Sequence, residues 1–449
     1  MRGPHNILRL IRTGATLERT GAMPVILNAL DAPKTIKFAA RFIVWPFQFL
    51  GRKGDKSLLP APRALTAMGP AYIKFGQILS TRPDVVGPEL AEQLRVLQDR
   101  LPPFSTSVAK QSFKLETGLD ADDVFSHFSE PVAAASIAQV HRGQLRESGH
   151  SVAIKVLRPE IERAFQRDID TFYFAARLVE FVSPKSRRLK PIDVITHFDG
   201  VVQGELDLRL ESASASEFSA NIRNDKGFSV PSINWSLSSR RVMTLDWADG
   251  LPMGDTDALT AAGHNLTELG DRVLHMFLSH ALRDGFFHAD MHQGNLKVSS
   301  NGDIVAFDFG IMGHIDEYTR RVYAEILFGF IKRDYKRVAE VHFEAGYVPQ
   351  DQNVDEFARA LRAVGEPIFG MDASNISMGR LLSYLFQVTE RFGMETRTEL
   401  ILLQRTMVVV EGVARSLNPQ INIWEVARPI VEGYICLLYT SDAADDVRG

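Results

Sequence analysis

Three oxygen-bearing side chains at fixed intervals constrain this 449-residue chain more than any other feature. They are Asp290, Asn295 five residues on, and Asp308 thirteen residues beyond that. Asp290 and Asn295 stand in Phe287-His-Ala-Asp-Met-His-Gln-Gly-Asn295, and Asp308 in Ile304-Val-Ala-Phe-Asp-Phe-Gly310. The second interval contains Asn301-Gly302, a two-residue hairpin signal, so it reads as two short strands that turn back on each other. Such a hairpin sets two loops side by side, each presenting one oxygen ligand. Magnesium-dependent phosphoryl transfer needs a carboxylate near the attacking nucleophile, with an amide oxygen and a second carboxylate holding metal against the phosphates. Each fragment alone is a weak signal. In this order and spacing they are a strong one.

Upstream, Ser151-Val-Ala-Ile-Lys-Val-Leu157 is a β-branched apolar run of the kind that forms a buried strand. A lysine in such a strand costs free energy unless it is paired. Here the chain resembles protein kinases, which place a lysine in such a strand and follow it with an Asp, an Asn five residues on, and Asp-Phe-Gly. By that resemblance Lys155 binds the ATP phosphates, Asp290 orients the nucleophile, and Asn295 and Asp308 hold Mg²⁺. A glutamate on a following helix should pair with Lys155, and Glu211 in Glu205-Leu-Asp-Leu-Arg-Leu-Glu211 is the choice. The interval from Lys155 to Glu211 exceeds what an ordinary kinase uses, so an insertion is expected there.

Two features depart from a protein kinase. Where a glycine-rich loop should precede the lysine strand stands Ala133-Ala-Ala-Ser136-Ile-Ala138. Alanine does not take positive φ freely, so this loop should meet phosphate more stiffly than a glycine loop. After Gly310 the chain runs almost directly into a helix at 317–331, with no Ala-Pro-Glu and no activation segment. A platform for docking protein substrates is therefore not expected.

Over roughly residues 20–435 the chain resembles the UbiB family of atypical kinases. The most specific motifs are Lys74-Phe-Gly-Gln77, Ala133, Ala134, Ala135 and Ser136 with Gln139-Val-His141, Lys155, Glu205-x-Asp207, Glu211, His288-x-Asp290, Asn295 and Asp308. The resemblance implies an α+β, two-lobed protein-kinase-like fold with a helical N-terminal extension, and ATP and Mg²⁺ as cofactors. It implies that Lys74 and Gln77 lie on that extension as a regulatory cap reaching Glu205 and Asp207. Spacing agrees in part, since positions three apart share a helix face. His288 should brace the catalytic loop. The function implied is an enzyme, a kinase-like ATPase supporting ubiquinone biosynthesis at the membrane, passing phosphoryl to water or a small lipid-linked acceptor. The alternatives are a true protein or lipid kinase, or a nucleotide-binding scaffold for ubiquinone biosynthetic enzymes. The partners implied are membrane lipids, polyprenyl-linked ubiquinone precursors and the biosynthetic proteins.

Charge and composition narrow the remaining classes. With 51 basic and 55 acidic side chains the net charge is −4, no match for nucleic acid as a partner. A single cysteine, Cys436, excludes an internal disulfide framework. The first 56 residues invert the charge balance, with ten Lys or Arg against Glu18, Asp31 and Asp55. There Ile36-Lys-Phe-Ala-Ala-Arg-Phe-Ile-Val-Trp45 mixes aromatic and basic side chains. Such a helix either lays its apolar face into a lipid headgroup boundary, with Lys37 and Arg41 toward anionic lipid, or packs on the protein's own core.

The expected organisation is a basic amphipathic region (1–62), the helical extension (63–128), an N-lobe with inserted helices (129–250), a C-lobe (251–435) and a tail (436–449). Residues 107–128 read as helix, Arg240–Leu245 as strand, 265–284 as a helix ended by Gly285, and 316 to about 430 as mostly helical. Trp235 and Trp247 are expected in the core as large apolar groups near strands. The tail from about Cys436 reads as non-native, with C-terminal transmembrane helices beyond it in family members. The location expected is the cytoplasmic side of the inner membrane, peripheral or anchored by such helices.

Overall fold

The structure is a computed structural model that describes residues 5–29, 32–80, 86–97, 102–182, 190–369, 384, 385, 388, 391–394 and 398–446. Its strands, in chain order, are β1 (Phe125–Ala134), β2 (Ala138–Leu145), β3 (Ser151–Leu157), β4 (Phe228–Ser229), β5 (Val242–Asp246), β6 (Leu251–Pro252), β7 (Phe286–His288), β8 (Leu296–Val298), β9 (Ile304–Ala306) and β10 (Met312–His314). The chain divides into two compact units, one of residues up to Leu210 with Asn234–Asp246, the other of Glu211–Ile233 with the remainder from Trp247.

The first unit is built on the antiparallel sheet β1-β2-β3-β5. Alternation decides its faces: Val152, Ile154 and Val156 of β3 point into a core shared with Phe113, Phe125, Leu237 and Val242. The helix over Thr106–Thr117 supplies Ala109 and Phe113 to that core. It stops earlier than the sequence reading of 107–128, because Gly118 takes φ +75° and its N–H closes on the Lys114 carbonyl. After a single turn at Ala121–Val124 the chain is already strand at Phe125. Trp235 corrects a second expectation: it is 53% exposed, in a short 3₁₀ turn where Leu237 takes the inward position.

Ahead of the sheet lie helices Pro60–Met68 and Pro70–Ser80, and after β3 lie the long helices Ile161–Val182 and Pro191–Glu205. An aromatic cluster joins them. Phe75 stacks on Phe172 at 5.0 Å and meets Phe198 edge-on at 5.2 Å, and Tyr72 meets Phe172 at 4.7 Å. Near the N-terminus, helix Lys34–Val44 turns Val44 inward against Ala15 and Met23. Its aromatics, with those of the 3₁₀ segment Trp45–Leu50, face out: Phe38, Phe42, Trp45 and Phe49 are all well exposed. Arg41 pairs with Glu18 at 2.9 Å and Lys37 donates to Asn28 at 2.6 Å, so both basic groups lean on the protein.

The second unit carries two small sheets, β4-β9-β8-β6 and β7-β10, on a helical body. Helix Leu266–Ser279 is capped by the Asn265 side chain, widens into a π-helical turn at His280–Asp284, and ends at Gly285 with φ +66°. Helices Glu317–Lys332, Tyr335–Glu344, Val354–Phe369, Thr398–Leu417 and Ile423–Asp446 complete the unit. The last runs through Cys436. Among the described residues no helix is long and apolar enough to cross a membrane.

Candidate functional site

In the second unit, backbone pairing assembles the acidic and amide groups. β7 pairs with β10, and the Ala289 N–H donates to Ile311, so Asp290 leaves the sheet beside the segment that follows Asp-Phe-Gly. The β8–β9 hairpin, turning through Gly302 at φ +85°, pairs Leu296 with Ala306. The Phe307 N–H then donates to the Asn295 carbonyl at 3.1 Å, which sets Asp308 one residue beyond that bond. Asn295 is buried, and its amide nitrogen donates to the Asp290 carbonyl at 3.0 Å and approaches the Asp290 Oδ2 at 3.4 Å. The donor side of the amide is thereby turned to Asp290, leaving Oδ1 as the atom to offer a cation.

Asp308 is exposed and adopts φ +74°, a left-handed conformation that few non-glycine residues take. Its Oδ1 accepts the Gly310 N–H at 3.3 Å. Such strain persists only where the surroundings over-determine it, and here they do. Phe309 is 1% exposed, lodged between His288 at 5.4 Å and Phe218 at 5.6 Å. Phe218 belongs to helix Leu208–Asn221, which also bears Glu211, so that helix is fixed to the Asp-Phe-Gly segment. The His288 Nδ1 accepts the Asp290 N–H at 3.1 Å, and burial holds the imidazole below its ordinary pKa. His288 is thus a neutral brace of the loop.

Two contacts the sequence pattern does not signal hold the same loop from the C-terminal helices. Thr406, buried in helix Thr398–Leu417, shares its hydroxyl proton between the Leu402 carbonyl at 2.8 Å and the Ala289 carbonyl at 3.2 Å, and Gln293 donates to the Ser416 hydroxyl at 2.6 Å. Only the folded geometry reveals them, because neither Thr nor Ser at a helix position is unusual.

The first unit holds Lys155, Ala133, Ala134, Ala135, Ser136, Lys74, Gln77, Glu205 and Asp207. Lys155 lies in β3 with Val140 beside it on β2 and Met243 on β5. Glu211 belongs to the second unit, and its pairing with Lys155 stands as the expectation the resemblance gave. The alanine-rich segment is the end of β1 and its turn into β2. Ser136 is fully buried there, and its hydroxyl has no hydrogen-bond partner among the described residues. His141 is buried too, but both its nitrogens are engaged: Nδ1 with the Ser129 carbonyl and Nε2 with the Gln139 amide, each at 2.8 Å. That leaves it no ligand role.

Lys74 and Glu205 meet at 2.7 Å with side chains only 13% and 9% exposed. A solvated lysine is therefore excluded. The neighbouring Gly76 has a packing reason, since a methyl group there would overlap the Leu65 and Leu97 side chains. Gln77 and Asp207 turn elsewhere than the resemblance implied. Gln77 donates to the Leu97 carbonyl at 3.3 Å. Asp207 accepts from Arg209, which holds its carboxyl below the usual range.

Comparison with known proteins follows the same lines. The ABC1 atypical kinase-like domain matches residues 96–342, and the UbiB helical domain matches residues 361–422. The probable protein kinase UbiB of Aliivibrio fischeri (strain MJ11) is 41% identical over 377 residues, covering 83% of this chain and 69% of that protein. The proteins of the same name from Klebsiella pneumoniae (strain 342) and Marinobacter nauticus are 42% identical over 378 residues and 39% over 415. The former match covers 83% of this chain and 69% of its relative, the latter 91% and 75%. Among solved structures, the Rv3197–erythromycin complex from Mycobacterium tuberculosis aligns with a TM-score of 0.54 at 22% identity, over 80% of this chain and 91% of that one. That last likeness speaks to the fold alone. The class is an α+β protein-kinase-like fold of the ABC1 type. Within it, the chain belongs to the UbiB family of atypical kinases.

Proposed function

We propose that this chain is a Mg-ATP-dependent phosphoryl-transfer enzyme whose acceptor is water or a small lipid-linked group, acting in support of ubiquinone biosynthesis at a membrane surface. The observation that carries the reading is the Asp290–Asn295–Asp308 arrangement, with the Asn295 amide committed to Asp290 and Asp308 held in a left-handed conformation. A carboxylate and an amide oxygen are hard ligands of the kind Mg²⁺ accepts, and it takes its remaining positions from phosphate and water. Asn295 and Asp308 would hold the ion, whose chemistry is to neutralise charge on the transferring phosphoryl group. Lys155 binds the phosphates and Glu211 positions Lys155. The orphaned Ser136 hydroxyl suits a phosphate acceptor.

Asp290 orients the incoming oxygen nucleophile. The Lys74–Glu205 pair ties the Lys-x-Gly-Gln helix to helix Pro191–Glu205, a fixed cap that favours small acceptors over protein. The exposed aromatic face of Lys34–Val44 and Trp45–Leu50 supports a membrane-surface location, because an interfacial helix buries such apolar side chains at the headgroup boundary, where the Trp45 indole is also favoured.

The test follows the γ-phosphate of labelled Mg-ATP with purified protein and anionic liposomes, with Asp290→Asn as control. Label should appear as free phosphate or on a lipid-linked acceptor, and turnover should fall about 10²–10⁴-fold in the control, the scale of a lost general base. Label on a protein would replace this reading with that of a protein kinase. Binding without any turnover would replace it with a scaffold.

A further inference from the structure

We propose that Arg158 is a positioning residue of the nucleotide loop: it holds the β1–β2 turn closed and fastens it to the segment through which the helical extension joins the sheet. The proposal rests on the reading of Ala133–Ser136 as the loop that meets phosphate. Only Ser136 and Ile137 separate Ala135 from Ala138, and the Ala135 N–H donates to the Ala138 carbonyl at 2.8 Å. Two-residue hairpin turns close well when their central residues take positive φ, which is why glycine and asparagine dominate them. No residue of this turn has positive φ. The turn therefore lacks the backbone geometry that hairpins of this length favour, and a backbone bond at its base is joined by side-chain support.

Arg158 supplies what the backbone lacks. Its own N–H donates to the Ile137 carbonyl at 2.8 Å, and its Nε and Nη2 both donate to the Ala135 carbonyl, at 3.0 and 2.8 Å. One residue thus grips the carbonyls on both sides of Ser136, whose buried hydroxyl has no protein partner among the described residues. Arg158 is in turn held, since Arg241 donates to its carbonyl at 3.0 Å. It stands just past the end of β3, three residues beyond Lys155, so the strand that carries the lysine also carries the grip on the loop.

The same guanidinium reaches the other way. Nη1 donates to the Pro102 carbonyl at 2.9 Å, and the cation lies 5.8 Å from the centre of the Phe104 ring. Phe104 is itself bound on both backbone groups by the Gln139 amide, at 3.0 and 3.1 Å, and Gln139 is oriented by His141. Segment 102–105 leads into helix Thr106–Thr117 and follows the helices that bear Lys74 and Gln77. A planar fork can serve Ala135 and Pro102 at once, and an ammonium cannot. Arg158 therefore links the loop's conformation to the position of the extension.

The experiment compares the unsubstituted chain with Arg158→Met and Arg158→Lys. Mg-ATP affinity, KM and kcat, thermal unfolding and amide hydrogen exchange are each measured. In Arg158→Met, Mg-ATP affinity should weaken about tenfold with KM rising in step and kcat changing less than about twofold, as expected when a loop loses its preset geometry. Exchange at 135–138 and at 104–106 should accelerate together, with β3 and β5 unchanged. Arg158→Lys should fall between, keeping one contact and losing the link. Unchanged affinity and unchanged exchange would overturn the proposal. So would faster exchange throughout the sheet with a lowered Tm, which marks a general folding role. If wild type itself fails to bind Mg-ATP, the phosphate-loop reading fails, and joint acceleration of the two segments still decides whether Arg158 links them.

Discussion

The two units assemble their chemical groups by different means. In the second, Asp290, Asn295 and Asp308 are brought together by backbone ladders, β7 with β10 and β8 with β9, so proximity follows from residues close in sequence. In the first, the decisive contacts are side-chain grips between distant positions: Arg158 on Ala135 and Pro102, Gln139 on Phe104, Lys74 on Glu205. Ladder geometry survives most side-chain changes, whereas a grip is lost with one substitution. The first unit should therefore be the more sensitive to single substitutions in how it is held, and the second in the chemistry it performs.

The largest effect expected on stability comes from breaking the enclosed ion pair Lys74–Glu205. Lys74→Met removes the ammonium that meets the largely buried Glu205 carboxylate at 2.7 Å. Urea unfolding should show a loss of about 2–4 kcal/mol, somewhat under the cost of splitting a fully buried pair. Lys74→Met with Glu205→Leu should recover most of it, because two apolar groups need no partner. A loss below about 1 kcal/mol would class the pair with surface bridges and blunt the contrast between the units.

A smaller effect separates the units by pH. Burial lowers the pKa of His280 and His288 in the second unit and of His141 in the first. Each stays neutral in the folded state while its unfolded counterpart takes up a proton below about pH 6.5. The unfolded state then binds more protons, so this stability is fully present above pH 6.5 and falls as the pH drops toward the folded pKa values. Each group adds at most about 1.4 kcal/mol per pH unit over that window. Hydrogen exchange at pH 7.5 and 5.5 should show the second unit loosening more than the first. Equal loosening would remove the distinction.

What was legible in the sequence follows the same division. The nearness of Asp290 and Asn295 and the hairpin leading to Asp308 could be read directly, because spacing and Asn301-Gly302 determine both. Lys155 stood out as a charge within an apolar alternation. Arg158, Thr406 and the packing role of Gly76 could not be read, since each depends on a neighbour far along the chain. The onset of β1 at Phe125 was hidden because Gly118 ends its helix without a break in composition. Trp235 misled for a related reason: size alone does not choose between Trp235 and Leu237 for the inward position of a short turn.

The central claim is that Lys155 and Asp308 act on the phosphates of one bound Mg-ATP. A double-mutant cycle on Mg-ATP affinity with Lys155→Met and Asp308→Asn tests it most directly. If both side chains serve the same phosphates, the double variant should bind little worse than the weaker single one, a coupling of about 1 kcal/mol or more. Losses that simply add, within about 0.3–0.5 kcal/mol, would mean that the two residues act independently, and no loss from either single variant would mean that it does not serve this ligand; either result would contradict the account.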